Sequence, residues 1–204
     1  MNHSDFNLAH QNQNTDSKIV AALERIAQAF RVLLWQESKT FSLTPIQVQV
    51  LIFLRFHQRE QCKVSYLADE FNMTKATISD AVKTLEQKNL VKKTAEPHDT
   101  RSFVIQLTPQ GKKIADKTSL FSKEIAQPVQ QLPASEQATL LLQLLNIIGH
   151  LNQTGIITIQ RMCLNCRFYK PGGNTQHYCQ LLNRPLHVSD LRIDCPEYGQ
   201  TETV

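Results

Sequence analysis

Apolar residues recur at helical spacing from Lys18 to about Ser38, at Ile19, Leu23, Ile26, Phe30 and Leu33 or Leu34. This predicts a long amphipathic helix. Thr44-Pro45 supplies an N-cap and a first-turn proline for a second helix that ends near His57, with Ile46, Val50, Phe53 and Leu54 inward. Two short helices follow. Residues 64–72 bury Leu67, Ala68 and Phe71, and residues 74–89 bury Ile78, Val82 and Leu85. The pattern then becomes extended over 90–95 and 102–107, joined by the polar loop EPHDTR, which predicts a hairpin. Thr108-Pro109 caps a helix running to about Gln131, and a last helix over 134–152 is apolar around much of its circumference before the break at Gly155. Ahead of Lys18, MNHSDFNLAHQNQNTDS has neither an apolar core nor a cleavage site, so it reads as a flexible polar tail.

Helix, short turn, helix and basic hairpin in succession is the layout of a winged helix-turn-helix. The fold expected is mainly α with a small β-hairpin. A tail (1–17) precedes a DNA-binding and helical dimerisation domain (18–152), and a cysteine-ligated module (156–204) follows. With Ile78, Val82 and Leu85 facing the core, Ala76, Ser79, Asp80 and Lys83 fall on the opposite face and Lys75 at its edge. Short or polar side chains there let a helix enter the major groove; these residues and Thr77 are the candidate base-edge contacts. Lys92, Lys93 and Arg101 of the hairpin are candidates for phosphates or the minor groove. Between Lys75 and Lys117 nine Lys/Arg stand against five Asp/Glu, an excess that equals the net charge of +4 of the whole chain. Charge concentrated there is the footprint of a DNA reader. No nucleophile–base pair, phosphate loop or paired acids point to an enzyme.

The stretches LTPIQVQVLIFL, VSYLADEFNMTKATISDAVKTLEQKNLVKK and EPHDTRSFVIQLTPQGKKIAD resemble the multiple-antibiotic-resistance regulator (MarR) family over roughly residues 18–150. The most specific likeness is the wing, where Asp99, Arg101, Leu107, Thr108 and Gly111 match the family pattern. The resemblance implies a homodimeric transcription factor, here expected to be a repressor, on a pseudo-palindromic operator. It also implies that Asp99 orients Arg101 toward DNA. The apolar last helix needs more than one neighbour, which agrees with a dimer.

Four of the five cysteines fall in C-x2-C-x12-C-x15-C, Cys163, Cys166, Cys179 and Cys195. No apolar run is long enough to span a bilayer, and a cytoplasmic protein is expected, where structural disulfides are rare. The four thiols then read as ligands of one metal centre. Aromatic neighbours (Phe168, Tyr169, Tyr178, Tyr198) and the Cys195-Pro196 pair favour a 4Fe–4S cluster over zinc, for which His177 and His187 are spare donors. C-x-N-C-x-F-Y followed by C-Q-L also resembles the cluster-binding half of high-potential iron–sulfur proteins. Zinc and metal-free thiols stay open. Cys62 stands apart as a semi-buried loop cysteine. Two roles are expected for the tail: a redox or iron sensor, or a structural zinc clip on a regulator that answers to a small-molecule effector.

Overall fold

The computed structural model describes residues 4–96, 99–172 and 176–200; the side chains of residues 96, 99–102 and 176 lie outside the described set. Thirteen elements are labelled in chain order: α1 (Leu8–Gln11), α2 (Thr15–Thr40), α3 (Pro45–Phe56), α4 (Val64–Glu70), α5 (Lys75–Gln87), β1 (Val91–Glu96), β2 (Asp99–Leu107), α6 (Pro109–Thr118), α7 (Lys123–Gln130), α8 (Ala134–Gln153), β3 (Tyr169–Gly172), β4 (Gln176–Cys179) and β5 (Arg184–Leu186).

The winged helix is built around α3. Thr44 and Gln47 form a reciprocal capping box with Pro45 in the first turn, so this helix starts without an orphaned donor. Val48, Val50, Leu51, Phe53 and Leu54 are all buried in it, more of its surface than the expected stripe. Around it pack Leu67 and Ala68 of α4, Ile78, Val82 and Leu85 of α5, Leu90, Val91, Val104, Ile105 and Ala115. β1 and β2 pair antiparallel from Val91↔Leu107 to Ala95↔Phe103, and a bulge between Ala95 and Glu96 shifts the last pair to Glu96↔Asp99. The amide of Ile105 also donates to the Cys62 carbonyl at 2.8 Å, which ties the loop before α4 to the hairpin edge.

The helix-turn-helix turn rests on Asn72, whose φ of 50° lies in the left-handed region that asparagine tolerates. The Met73 amide then closes onto the Ala68 carbonyl, and Thr74 caps α5 through the Thr77 amide. Asn89 (φ 56°) ends α5 in the same way, with the Leu90 amide on the Leu85 carbonyl. The L-T-P-x-G stretch has a geometric cause. Thr108 caps α6 at the Gly111 amide and donates its hydroxyl to the Asn89 carbonyl at 2.7 Å. A Cβ on Gly111 would stand 1.9 Å from the Leu90 carbonyl oxygen.

Three expectations change. Residues 8–11 are helical, α2 begins at Thr15, and the buried Ser17 hydroxyl donates to Asp5 at 2.7 Å, so 4–17 is not a loose tail. The six-residue hairpin loop contracts because β2 starts at Asp99. The single helix expected over 109–131 is broken by a turn of 3₁₀ helix at Ser119–Ser122. There the Thr118 and Ser119 hydroxyls bond back to the Ile114 and Asp116 carbonyls, which bends a helix, and Phe121 turns edge-on to Phe30 of α2.

The C-terminal module has a three-stranded antiparallel sheet in the order β3-β4-β5. Its core (Met162, Leu186 and Leu191) closes on Leu145 of α8, so α8 carries the module on one face. Gly149 permits this approach, since a Cβ there would lie 2.9 Å from the Met162 methyl. Gly111→Ala is expected to cost about 3 kcal/mol in urea or thermal unfolding, because backbone rather than a movable side chain fills the space. Gly155→Ala, strained only by its φ of 76° with open space around it, should cost about 1 kcal/mol.

Candidate nucleic-acid interface and four-cysteine cavity

Helix α5 buries Ile78, Ala81, Val82 and Leu85 and leaves Lys75, Ala76, Thr77, Ser79, Asp80 and Lys83 exposed, as the spacing predicts. Thr74 and Thr77 share a hydroxyl hydrogen bond of 2.8 Å at its N-terminus. The hairpin lysines separate. Lys93 reaches Glu86 of α5 at 3.3 Å and lines a groove with Lys63, Ser65, Ser79 and Phe103. Lys92, one residue earlier in the strand, lines a different hollow with Arg55, Arg59 and Lys112. Only one of the two therefore shares a surface with the recognition helix. Asp99 and Arg101 lie within β2, but their side chains fall outside the described residues. Lys63 and Ser65, missed in the sequence, join the groove because α4 starts beside the hairpin edge. Their signal was position at the start of the first helix of the pair.

Cys163, Cys166, Cys179 and Cys195 line one narrow cavity, walled by Phe168, Tyr169, Leu181, Leu182 and Leu186. Two ends of the module form it. The Cys163 amide donates to the Arg192 carbonyl, the Cys195 amide to the Arg161 carbonyl, and the Arg167 amide to the Gly199 carbonyl. N–H groups point at the sulfurs: the Arg192 amide at Cys163 Sγ (3.3 Å), the Gly199 amide at Cys166 Sγ (3.5 Å), and Arg192 Nη1 at Cys195 Sγ (3.5 Å). Such donors favour thiolate and tune a bound metal. Against them, burial pushes the Cys163 and Cys195 thiols up. Among the described residues, no three His, Cys, Asp or Glu side chains are gathered as they would be around one ion. The thiols surround a space.

The spare donors do not join. His177 is buried with Nδ1 bonded to the Tyr169 hydroxyl at 2.7 Å, and exposed His187 caps a short 3₁₀ turn. Of the four aromatics, Phe168 and Tyr169 wall the cavity, whereas Tyr178 bonds Asn183 and Tyr198 bonds the Asn165 carbonyl. Cys62 is more buried than expected; burial, aided by Glu60, pushes its thiol up to about 11.

Arg161 was hidden in what reads as an apolar link, and only its position two residues before Cys163 marks it. It is buried, and burial alone would lower its pKa. The hydrogen bond and charge of Glu70, with the charge of Asp194, overcome this and hold it well above its ordinary value.

Residues 41–102 match the profile of the MarR family. Over 86 residues the chain is 28% identical to the HTH-type transcriptional regulator BilQ of Clostridioides difficile (strain CD3), covering 42% of this chain and 57% of that protein. The chain thus spans little more than half the length of this curated relative. S. aureus MepR in its DNA-binding conformation superposes with a TM-score of 0.58 at 25% identity, over 65% of this chain and 98% of that one. The S. aureus MepR–DNA complex gives 0.56 at 25% identity, over 64% and 96%. The winged helix thus resembles the MarR type, and proteins of that family are transcription regulators rather than enzymes. About a third of the chain lies outside these structural matches.

Among the described residues no helix is long and apolar enough to cross a membrane. In the native protein at pH 8 Cys62 is expected to resist iodoacetamide, since a thiol near 11 is roughly a thousandth thiolate. Peptide mapping of alkylated protein would show it; rapid labelling of Cys62 would mean its cover opens readily.

Proposed function

We propose that this protein is a homodimeric transcriptional regulator that reads double-stranded DNA with α5 and the β1–β2 wing and holds a 4Fe–4S cluster in the cysteine cavity. The observation that carries the DNA reading is the exposed polar face of α5 beside the groove of Lys63, Ser65 and Lys93, on a domain whose likeness includes a protein solved on DNA. Small side chains (Ala76, Ser79) allow close approach to base edges, while Lys75, Lys83 and Lys93 meet phosphates. Asp99 orienting Arg101 remains part of this reading.

Exposed apolar surface supports the dimer. Ile19, Ile26 and Phe30 of α2 and Leu140 and Ile147 of α8 are between 39% and 51% exposed in one protomer. Covering both helices with a second copy would bring two recognition helices to sites about one DNA turn apart. Occupation of an operator by such a dimer excludes other proteins from it, so repression is the mode proposed.

The cofactor reading is supported by four thiols around a space walled largely by Phe168, Tyr169, Leu181, Leu182 and Leu186, with Arg192 and Glu197 beside Cys195 and N–H donors aimed at three of the sulfurs. A cluster bound there would supply redox- and iron-dependent occupancy. The chain's own residues would hold it and shield it with Phe168 and Leu182, and the N–H donors would stabilise the metal-bound sulfurs. Zinc in the same cavity is the competing occupant and would leave signalling to a small-molecule effector.

Protein purified without oxygen is expected to be brown, with a broad band near ~400 nm and about four iron per chain. A colourless protein with about one zinc would replace the cluster by a structural clip. If each protomer neutralises about four phosphates, log affinity for DNA should fall against log salt with a slope near −7. Lys93→Ala should flatten that slope by about 2 in the dimer, and an unchanged slope would remove Lys93 from the interface.

A further inference from the structure

The module docks on the helix-turn-helix of its own chain through one buried cation. Arg161 Nη1 and Nη2 grip both oxygens of Glu70, at 2.8 and 3.2 Å, and Nη1 also donates to the Tyr66 hydroxyl at 2.7 Å. Nε donates to Asp194 at 2.9 Å. Glu70 is the last residue of α4, and only four residues separate it from α5. Asp194 immediately precedes Cys195, and the Arg161 carbonyl accepts the Cys195 amide at 3.0 Å. Arg161 itself lies two residues before Cys163. Both cysteine-bearing segments therefore meet at this side chain, and the far end of its guanidinium holds the C-terminus of α4.

We infer that Arg161 is a positioning residue: it transmits the order of the Cys163 and Cys195 segments to helix α4 and, through the Asn72 turn, to the DNA-reading face of α5. The inference rests on the reading of the cysteine cavity as an occupied site and adds the path by which occupancy reaches DNA. The physical basis is a matched contact. A buried planar guanidinium that bonds two carboxylates and a phenol requires all of them in place, and a shift of the Glu70 carboxylate leaves the buried cation with only half-exposed Asp194 to balance it. Lesser contacts run alongside it. The Thr158 hydroxyl donates to the Asp69 carbonyl, and the Gln58 amide reaches the Pro196 carbonyl at 3.3 Å. These are neutral and single, and they fix the module's place without linking it to the charge on α4. With the Cys163 and Cys195 segments held around a bound group, Arg161 is fixed and α4 with it. With those segments loosened, the carboxylate of Glu70 can turn to water, and the end of α4 frays into the turn.

The test compares full-length protein purified without oxygen, with its metal bound, and the same protein stripped by chelator. The DNA is a duplex selected from a random pool by the metal-bound wild type. For the wild type, affinity is expected to differ about tenfold between the two forms. Stripping should also speed hydrogen exchange of amides 64–87. In Arg161→Met/Glu70→Gln, which removes the cation and the α4 carboxylate together and leaves half-exposed Asp194 to water, metal content and absorption should match the wild type. The two forms should then bind DNA within about twofold of one another, and exchange over 64–87 should no longer respond to stripping. The milder Glu70→Gln, which keeps one hydrogen bond, should give an intermediate ratio and guards against a double variant that fails to fold. Wild-type ratios and exchange in a metal-bound variant would overturn Arg161 as the path while leaving the cysteine reading intact. A wild type that binds no metal would overturn the cysteine reading and the path with it.

Discussion

The winged-helix half depends on how completely α3 is buried. A twelve-residue helix with six buried residues cannot be placed at a surface; it has to be enclosed. Enclosure recruits α2 and α6 on one side and α4, α5 and the hairpin on the other. Once Ile78, Val82 and Leu85 are committed to that core, α5 has no rotational freedom, and its short polar face must look outward. The character of the surface proposed to read DNA is thus a by-product of core packing. The polar identity of Ser79 and Asp80 matters only after the apolar identity of their neighbours has oriented them.

Much of this was legible in the sequence because it is local. Caps at Thr44, Thr74 and Thr108, and the apolar triads of α4 and α5, act within a few residues of themselves and read without tertiary knowledge. The break at Ser119 was not legible, since it comes from hydroxyls bonding back along a helix whose apolar period continues through it. Nor was the ordering of residues 4–17, where a buried Ser17 and a side-chain bond to Asp5 outweigh a composition with few apolar residues. The four cysteines announced themselves by spacing. Arg161 did not, because an arginine among Ile, Thr and Met carries no signal until Glu70 and Asp194 come to meet it from 91 and 33 residues away.

The two halves of the molecule keep separate cores. One is centred on α3. The other is small, uses Leu145 of α8 as its floor, and is completed by residues that bracket the cysteines. Between them runs a polar seam of Arg161, Glu70, Tyr66, Thr158 and Gln58. An apolar seam would weld the halves into one rigid block. A polar one holds them through directional contacts that are matched in the geometry observed.

Helix α8 has a consequence for the life of the protein in the cell. Its face toward the module, Leu141, Leu145 and Ile148 around the Gly149 notch, is sealed only while Met162, Leu186 and Leu191 of the module pack over it. A chain cut or mistranslated after Gln153 would carry that leucine face bare. Chaperones and proteases recognise such surfaces, so a truncated copy is expected to be removed or to aggregate. The fold thereby couples the survival of the whole molecule to its C-terminal module.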